Sequence, residues 1–78
     1  MSPNENQRWV LKLLSDNGGR WSSGLPMRAD VGPVQMEADI VELHRSRMVA
    51  VSGPPNQNAE LGMDVQDMTL LPAGRTLR

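Results

Sequence analysis

Residues Gly32 to Arg47 read GPVQMEADIVELHRSR and run directly into Met48 to Gly53, MVAVSG. At about 100° per residue, Met36, Ile40 and Leu43 share one narrow stripe, which the stem of Arg47 continues. That spacing predicts an amphipathic helix over about 33–46 with the stripe buried. Pro33 suits the first helical position, where its missing N–H costs nothing. The opposite face carries Val34, Gln35, Ala38, Val41, Glu42 and Arg45. Glu37 and His44 flank it on one side and Asp39 on the other. Glu42 and Arg45, three apart, can pair for about 0.2–0.5 kcal/mol. The outward face is therefore small, partly apolar and almost neutral. Met48 to Val51 alternates as a strand does, which predicts a strand over about 48–52 directly after the helix.

Upstream, Ser2-Pro3-Asn4-Glu5 predicts a helix start, with Ser2 as cap, Pro3 in the first turn and Glu5 reaching back. The helix is expected over about 3–17, with Trp9, Val10, Leu13 and Leu14 at core spacing. Asn17-Gly18-Gly19 ends it by supplying positive φ. Trp21 reads as an extended residue under the next helix. Ser22 or Ser23 then caps a short second helix over about 23–30, with Leu25 and Ala29 inward. Pro26 is tolerated only in a first turn, so that helix must be short. Asp30-Val31-Gly32-Pro33 is the turn into the central helix, with Val31 plugging the core.

Downstream, Ser52 to Gln66 is polar and broken by Gly53-Pro54-Pro55 and Gly62. Leu61, Met63 and Val65 alternate with polar residues. A return strand is expected over about 66–71, ended by Pro72-Ala73-Gly74-Arg75. The two strands can pair as an antiparallel hairpin with an extended tip.

The chain has 78 residues, no cysteine, six methionines, two tryptophans and neither Phe nor Tyr. One small domain is expected over 1–78, burying roughly 60% of its unfolded surface. No disulfide can form, which is compatible with a reducing cytoplasm. No apolar run reaches the roughly 18 residues of a membrane span, and the start lacks a signal-peptide pattern. A soluble, cytoplasmic protein without membrane partners is the expectation. Net charge is −1, which lacks the basic excess typical of DNA-binding modules. The positive charge is almost all arginine, however, which suits forked contacts to phosphate and guanine.

Three local patterns carry a resemblance. WSSGLPMRADVGPVQMEADIVEL is similar to a second helix, tight turn and recognition helix. VELHRSRMVAV resembles a helix end followed at once by a first wing strand. MTLLPAGR is similar to a wing's return strand. Together they resemble the winged-helix branch of the helix-turn-helix family, over most of the chain. The family usually has Gly or Asn, for a left-handed turn, where Arg47 stands here. The resemblance implies an α+β fold: a three-helix helix-turn-helix core followed by an antiparallel β-hairpin wing. It also implies that the central helix enters the major groove of double-stranded DNA while the wing touches the backbone. Carried across, the reading residues are Val34, Gln35, Ala38, Val41 and Glu42. Gln35 could pair with adenine, the small residues could meet thymine methyls, and Glu42 could accept from cytosine or hold Arg45. Arg20, Arg28, Arg45 and Arg75 would contact phosphates, which supply most of the affinity.

The expected function is that of a small DNA-binding transcriptional regulator of bacterial or phage type, working without cofactor or metal. A domain this size binds weakly alone, so a dimer or tandem sites are expected. The alternative is an adaptor whose apolar outward face packs on a protein partner or a second copy, because Glu37, Asp39 and Glu42 would be repelled by phosphates. A basic band joining Arg20, Arg28, Arg45 and Arg75 would favour DNA, and a broken one the adaptor. No catalytic constellation is present. His44 is the only histidine, without a spaced nucleophile or metal ligands. Gly18-Gly19 lacks the residues of a phosphate loop. Trp9 and Trp21 read as core residues.

Overall fold

A computed structural model describes residues 2–75; Met1 and residues 76–78 of the expected 1–78 domain lie outside the described residues. It shows an α+β arrangement in the order α1 (Glu5–Asp16), β1 (Arg20–Trp21), α2 (Pro33–Arg45), β2 (Val49–Ser52), β3 (Asp67–Leu70) and α3 (Pro72–Arg75).

The first helix starts two residues later than expected. Asn4 caps it, accepting from Gln7 N–H at 2.8 Å while Gln7 Oε1 accepts from Asn4 N–H at 2.9 Å. Ser2, Pro3 and Glu5 therefore do not form the cap. Asparagine is as strong an N-cap as serine, and Gln7 closes the box from the third helical position. The buried face is Asn6, Gln7, Val10, Leu11 and Leu14. It is turned roughly 60° from the expected one, taking 100° per residue. Leu11 becomes core while Trp9 and Leu13 are only half-buried. The helix ends as expected, through Gly18 (φ 73) and Gly19 (φ 86), with Gly19 N–H bonded to Leu14 O.

No second helix forms between β1 and α2. Gly24 takes φ 75, and Pro26 both lacks an N–H and disfavours helical backbone at Leu25. Too few residues remain for a helical turn. The segment is instead pinned by Gly24 N–H to Gln66 O at 3.1 Å, by Trp21 Nε1–H to Gly24 O at 3.0 Å, and by a turn closing Val31 on Arg28. Leu25 and Val31 still pack against the core, whereas Ala29 is exposed.

The central helix matches its expected span within one residue, with Pro33 in its first turn. Its stripe is fully inward: Met36, Ile40 and Leu43 are at most 1% exposed. The helix terminates at Ser46 and Arg47. Met48 N–H returns to Leu43 O and Arg47 N–H to His44 O, each at 3.0 Å, and Arg47 sits at φ 59. This is a Schellman stop with an arginine in the left-handed position. It tucks Met48 into the core and starts β2 one residue later. Arg47 itself is exposed and does not extend the buried stripe.

Three strands form the antiparallel sheet, in the order β1-β3-β2. The hairpin of β2 and β3 was expected; β1 as a third strand was not, since two residues carry no alternation to detect. Val49 pairs with Leu70 and Val51 with Met68, so these four side chains line the core face. Arg20, Thr69 and Ala50 form a row on the other face. Beyond the strands the hairpin stays closed by Gln66 N–H to Ser52 O and Asp64 N–H to Pro54 O. Leu61, Met63 and Val65 turn inward against the core, and only Met63 makes a bridge, with Pro55.

Candidate nucleic-acid interface

The buried arc of α2 is wider than the stripe. It runs from Asp39 through Leu43, Met36 and Ile40 to Val41, roughly 200° at 100° per residue. What remains free is a strip carrying Val34, Gln35, Ala38, Glu42 and Arg45. Val34 is 84% exposed. Val41 is 3% exposed and does not belong to an outward face; the expected base contact from it is corrected. The helix is covered on both flanks of its stripe, not on the stripe alone.

Asp39, expected at the edge of the exposed face, is buried at 5% exposure. Its Oδ1 accepts from Asn4 Nδ2 and from Gln35 Nε2, each at 3.0 Å, and its Oδ2 accepts from Asn6 Nδ2 at 2.8 Å. Gln7 Nε2 donates to its backbone oxygen at 3.2 Å. A buried carboxylate is tolerable only with such partners. Periodicity alone could not reveal this cluster. Its one sequence signal is the density of amides in Asn4-Glu5-Asn6-Gln7.

The four arginines expected to hold phosphates are not brought together. Arg28 has only 18% of its side chain exposed and pairs with Glu5 at 2.7 Å and Asp30 at 3.1 Å. Its Nη1 also donates to Asn6 Oδ1, and its guanidinium lies 5.3 Å from the Trp9 ring centroid. The hydrogen bond to Glu5, helped by the charge of Asp30, raises its pKa further above the ordinary arginine value. Arg28 is thus a tie between α1 and the β1–α2 segment, and its assignment as a phosphate contact is corrected. Arg45 is exposed but faces Glu60 of the hairpin tip at 3.4 Å. It does not pair with Glu42 there.

Arg20 and Arg75 are exposed. Arg75 Nη2 approaches Gly19, at the C-terminal end of α1, whereas Arg20 lies on the outer sheet face opposite Thr69. The Asp39 cluster lies at the N-terminal end of α1. Twelve helical residues separate the ends, about 18 Å at 1.5 Å per residue. The expected continuous band is broken.

A shallow hollow of about 160 Å³ on the outer sheet face is lined by Arg20, Ser22, Ser52, Asp67, Met68 and Thr69. Asp67 beside Arg20 makes it a poor anion seat. His44 is half-buried, and its Nδ1 has no hydrogen-bond partner among the described residues. No three His, Cys, Asp or Glu gather as a metal site among the described residues. No helix there is long and apolar enough to cross a membrane.

No family model, curated protein or solved structure matches this chain.

Proposed function

We propose that this is a winged-helix protein that binds double-stranded DNA through the exposed N-terminal half of α2, with the β2–β3 loop as its wing. The observation that carries this is the free strip at the start of α2. Val34, Gln35 and Ala38 stand clear of the protein's own hairpin, on a helix rigidly held by the core and by Asp39. Such a strip fits a major groove, where a helix reads base edges. Of the four arginines expected to meet phosphates, Arg20 and Arg75 are exposed without an ion pair among the described residues, Arg20 beside Asp67. A cytoplasmic regulator of bacterial or phage type, working as a dimer or on tandem sites, is the role this supports. The β1–α2 segment bends and turns without forming a helix, so α2 would enter the groove without the helix that precedes it in a regular helix-turn-helix.

A protein-binding adaptor is the second reading. Three observations favour it: Met27 and Val34 are 87% and 84% exposed, Arg28 and Arg45 face carboxylates of their own chain, and the arginine band that would mark a DNA binder is interrupted at Arg28. Binding to a pool of mixed duplexes over a salt series separates the two. A DNA binder loses affinity steeply as salt rises, in proportion to the phosphates it neutralises. No binding to any duplex at low salt overturns the DNA reading and leaves the adaptor.

A further inference from the structure

We infer that Asp39 is a positioning residue: it sets the orientation of the Gln35 amide so that α2 presents an acceptor and a donor matched to an adenine edge. This deepens the DNA-binding reading above and rests on it.

Gln35 is exposed, yet its amide nitrogen donates to Asp39 Oδ1 at 3.0 Å, one turn further along α2. An exposed pair at this spacing would be loose. This one is anchored, because the carboxylate is buried and cannot turn away. Asn6 Nδ2 holds the other oxygen at 2.8 Å, and Asn4 Nδ2 shares the first at 3.0 Å. These anchors are themselves fixed. Asn4 is locked in the reciprocal cap with Gln7, and Asn6 Oδ1 accepts from Arg28 Nη1 at 3.3 Å.

A carboxylate only accepts hydrogen bonds, whereas a glutamine amide has one end that donates and one that accepts. Asp39 therefore selects the nitrogen end and rejects the oxygen. One N–H is used. A second N–H and Oε1 remain for a ligand. Adenine shows an N6 amino donor beside an N7 acceptor in the major groove, which that pair matches. Guanine shows two acceptors there, one of which would oppose Oε1, and cytosine offers no acceptor beside its donor. Fixing the amide in advance also reduces the side-chain freedom lost on docking. Asp39 need not touch DNA to act in this way.

The test combines base preference with amide mobility. The preferred duplex is selected from a randomised pool with the wild-type protein. Anisotropy titrations then compare it with its single-base variants, for wild type, Gln35→Ala and Asp39→Asn. The expected result is an adenine preference of roughly tenfold at one position. Gln35→Ala should level it, and Asp39→Asn should reduce it at that position alone, with non-specific affinity unchanged. A merely structural Asp39 would lower all affinities together, and that outcome overturns the inference. In the free wild-type protein, the side-chain 15N–1H NOE should show the Gln35 amide more ordered than that of exposed Gln57. This measurement needs no variant to fold, and equal mobility of the two amides overturns the inference. Binding with the same base preferences in all three proteins overturns it while sparing the DNA reading. Failure of the wild type to bind any duplex overturns that reading and the adenine assignment with it.

Discussion

The Asn6 amide nitrogen donates to Asp39 Oδ2 at 2.8 Å, joining α1 to α2 across 33 residues of sequence. Neither residue belongs to the apolar core, yet both are buried beside it. Their contact sets where the exposed strip of α2 begins.

Asp39→Ala is expected to cost about 2–3 kcal/mol, because the amides of Asn4 and Asn6 lose a charged acceptor in a site with little water. For a domain of this size, each kcal/mol lowers Tm by about 4–8 °C. Thermal or urea unfolding measures it. A loss below about 0.5 kcal/mol would show that the cluster contributes little to the fold.

Arg47→Gly should stabilise the protein. A left-handed residue other than glycine costs about 1–2 kcal/mol, and the greater unfolded freedom of glycine returns about 0.5–1 kcal/mol. The expected net gain is about 0.5–1 kcal/mol, read as a rise in the urea midpoint. Arg47→Val should lower that midpoint, since a β-branched side chain tolerates φ 59 least.

Gly74→Ala and Gly53→Ala should both destabilise, for steric reasons rather than for φ. A methyl at Gly74 would collide with the Met48 carbonyl and come within 2.9 Å of Leu70 Cδ1. One at Gly53 would overlap the Asp64 carbonyl at the base of the hairpin loop. Overpacking of this kind costs about 1–3 kcal/mol. Hydrogen exchange should show faster amides in the loop for the Gly53 variant, and global loss for the Gly74 variant.

Arg28→Ala should lower Tm slightly, mostly through loss of the contact with Trp9, since the carboxylate partners are well exposed. Trp9 fluorescence should change. Affinity for non-specific duplex should not fall, which sets Arg28 apart from a phosphate-binding arginine.

Glu60→Gln should release Arg45 and remove a negative charge from the hairpin tip. Under the DNA reading, affinity at low salt rises by about two- to fivefold, the scale of one exposed ion pair. An unchanged or weaker affinity would place the tip away from the duplex.

Much of the frame is legible in residues 32–53. Apolar spacing carries it. Met36, Ile40 and Leu43 must turn inward on any helix, Pro33 starts it, and Met48 to Val51 alternates. The left-handed stop falls at Arg47, an unusual occupant of that conformation. Local signals misled where two were equally good. Ser2 and Asn4 are both competent caps, and only Asn4 also reaches Asp39. Ser22 to Ala29 has a helix-start signal, but Gly24 and Pro26 leave it no room.

The polar residues were not legible in the same way. Val34, Gln35 and Ala38 are exposed as expected, because they oppose the apolar stripe. Val41, Asp39 and Arg28 looked equally available and are not. Periodicity reports which side of a helix is apolar; it says nothing of how far neighbouring segments wrap around it. Whether a carboxylate or guanidinium can be buried depends on partners supplied from distant residues, here Asn4, Asn6, Glu5 and Trp9. The sequence by itself determined the α2–β2 junction and the inward stripe, since both follow from local spacing and backbone preference. Tertiary structure alone decided which charges remain free for a partner, since that depends on what the folded chain places beside them.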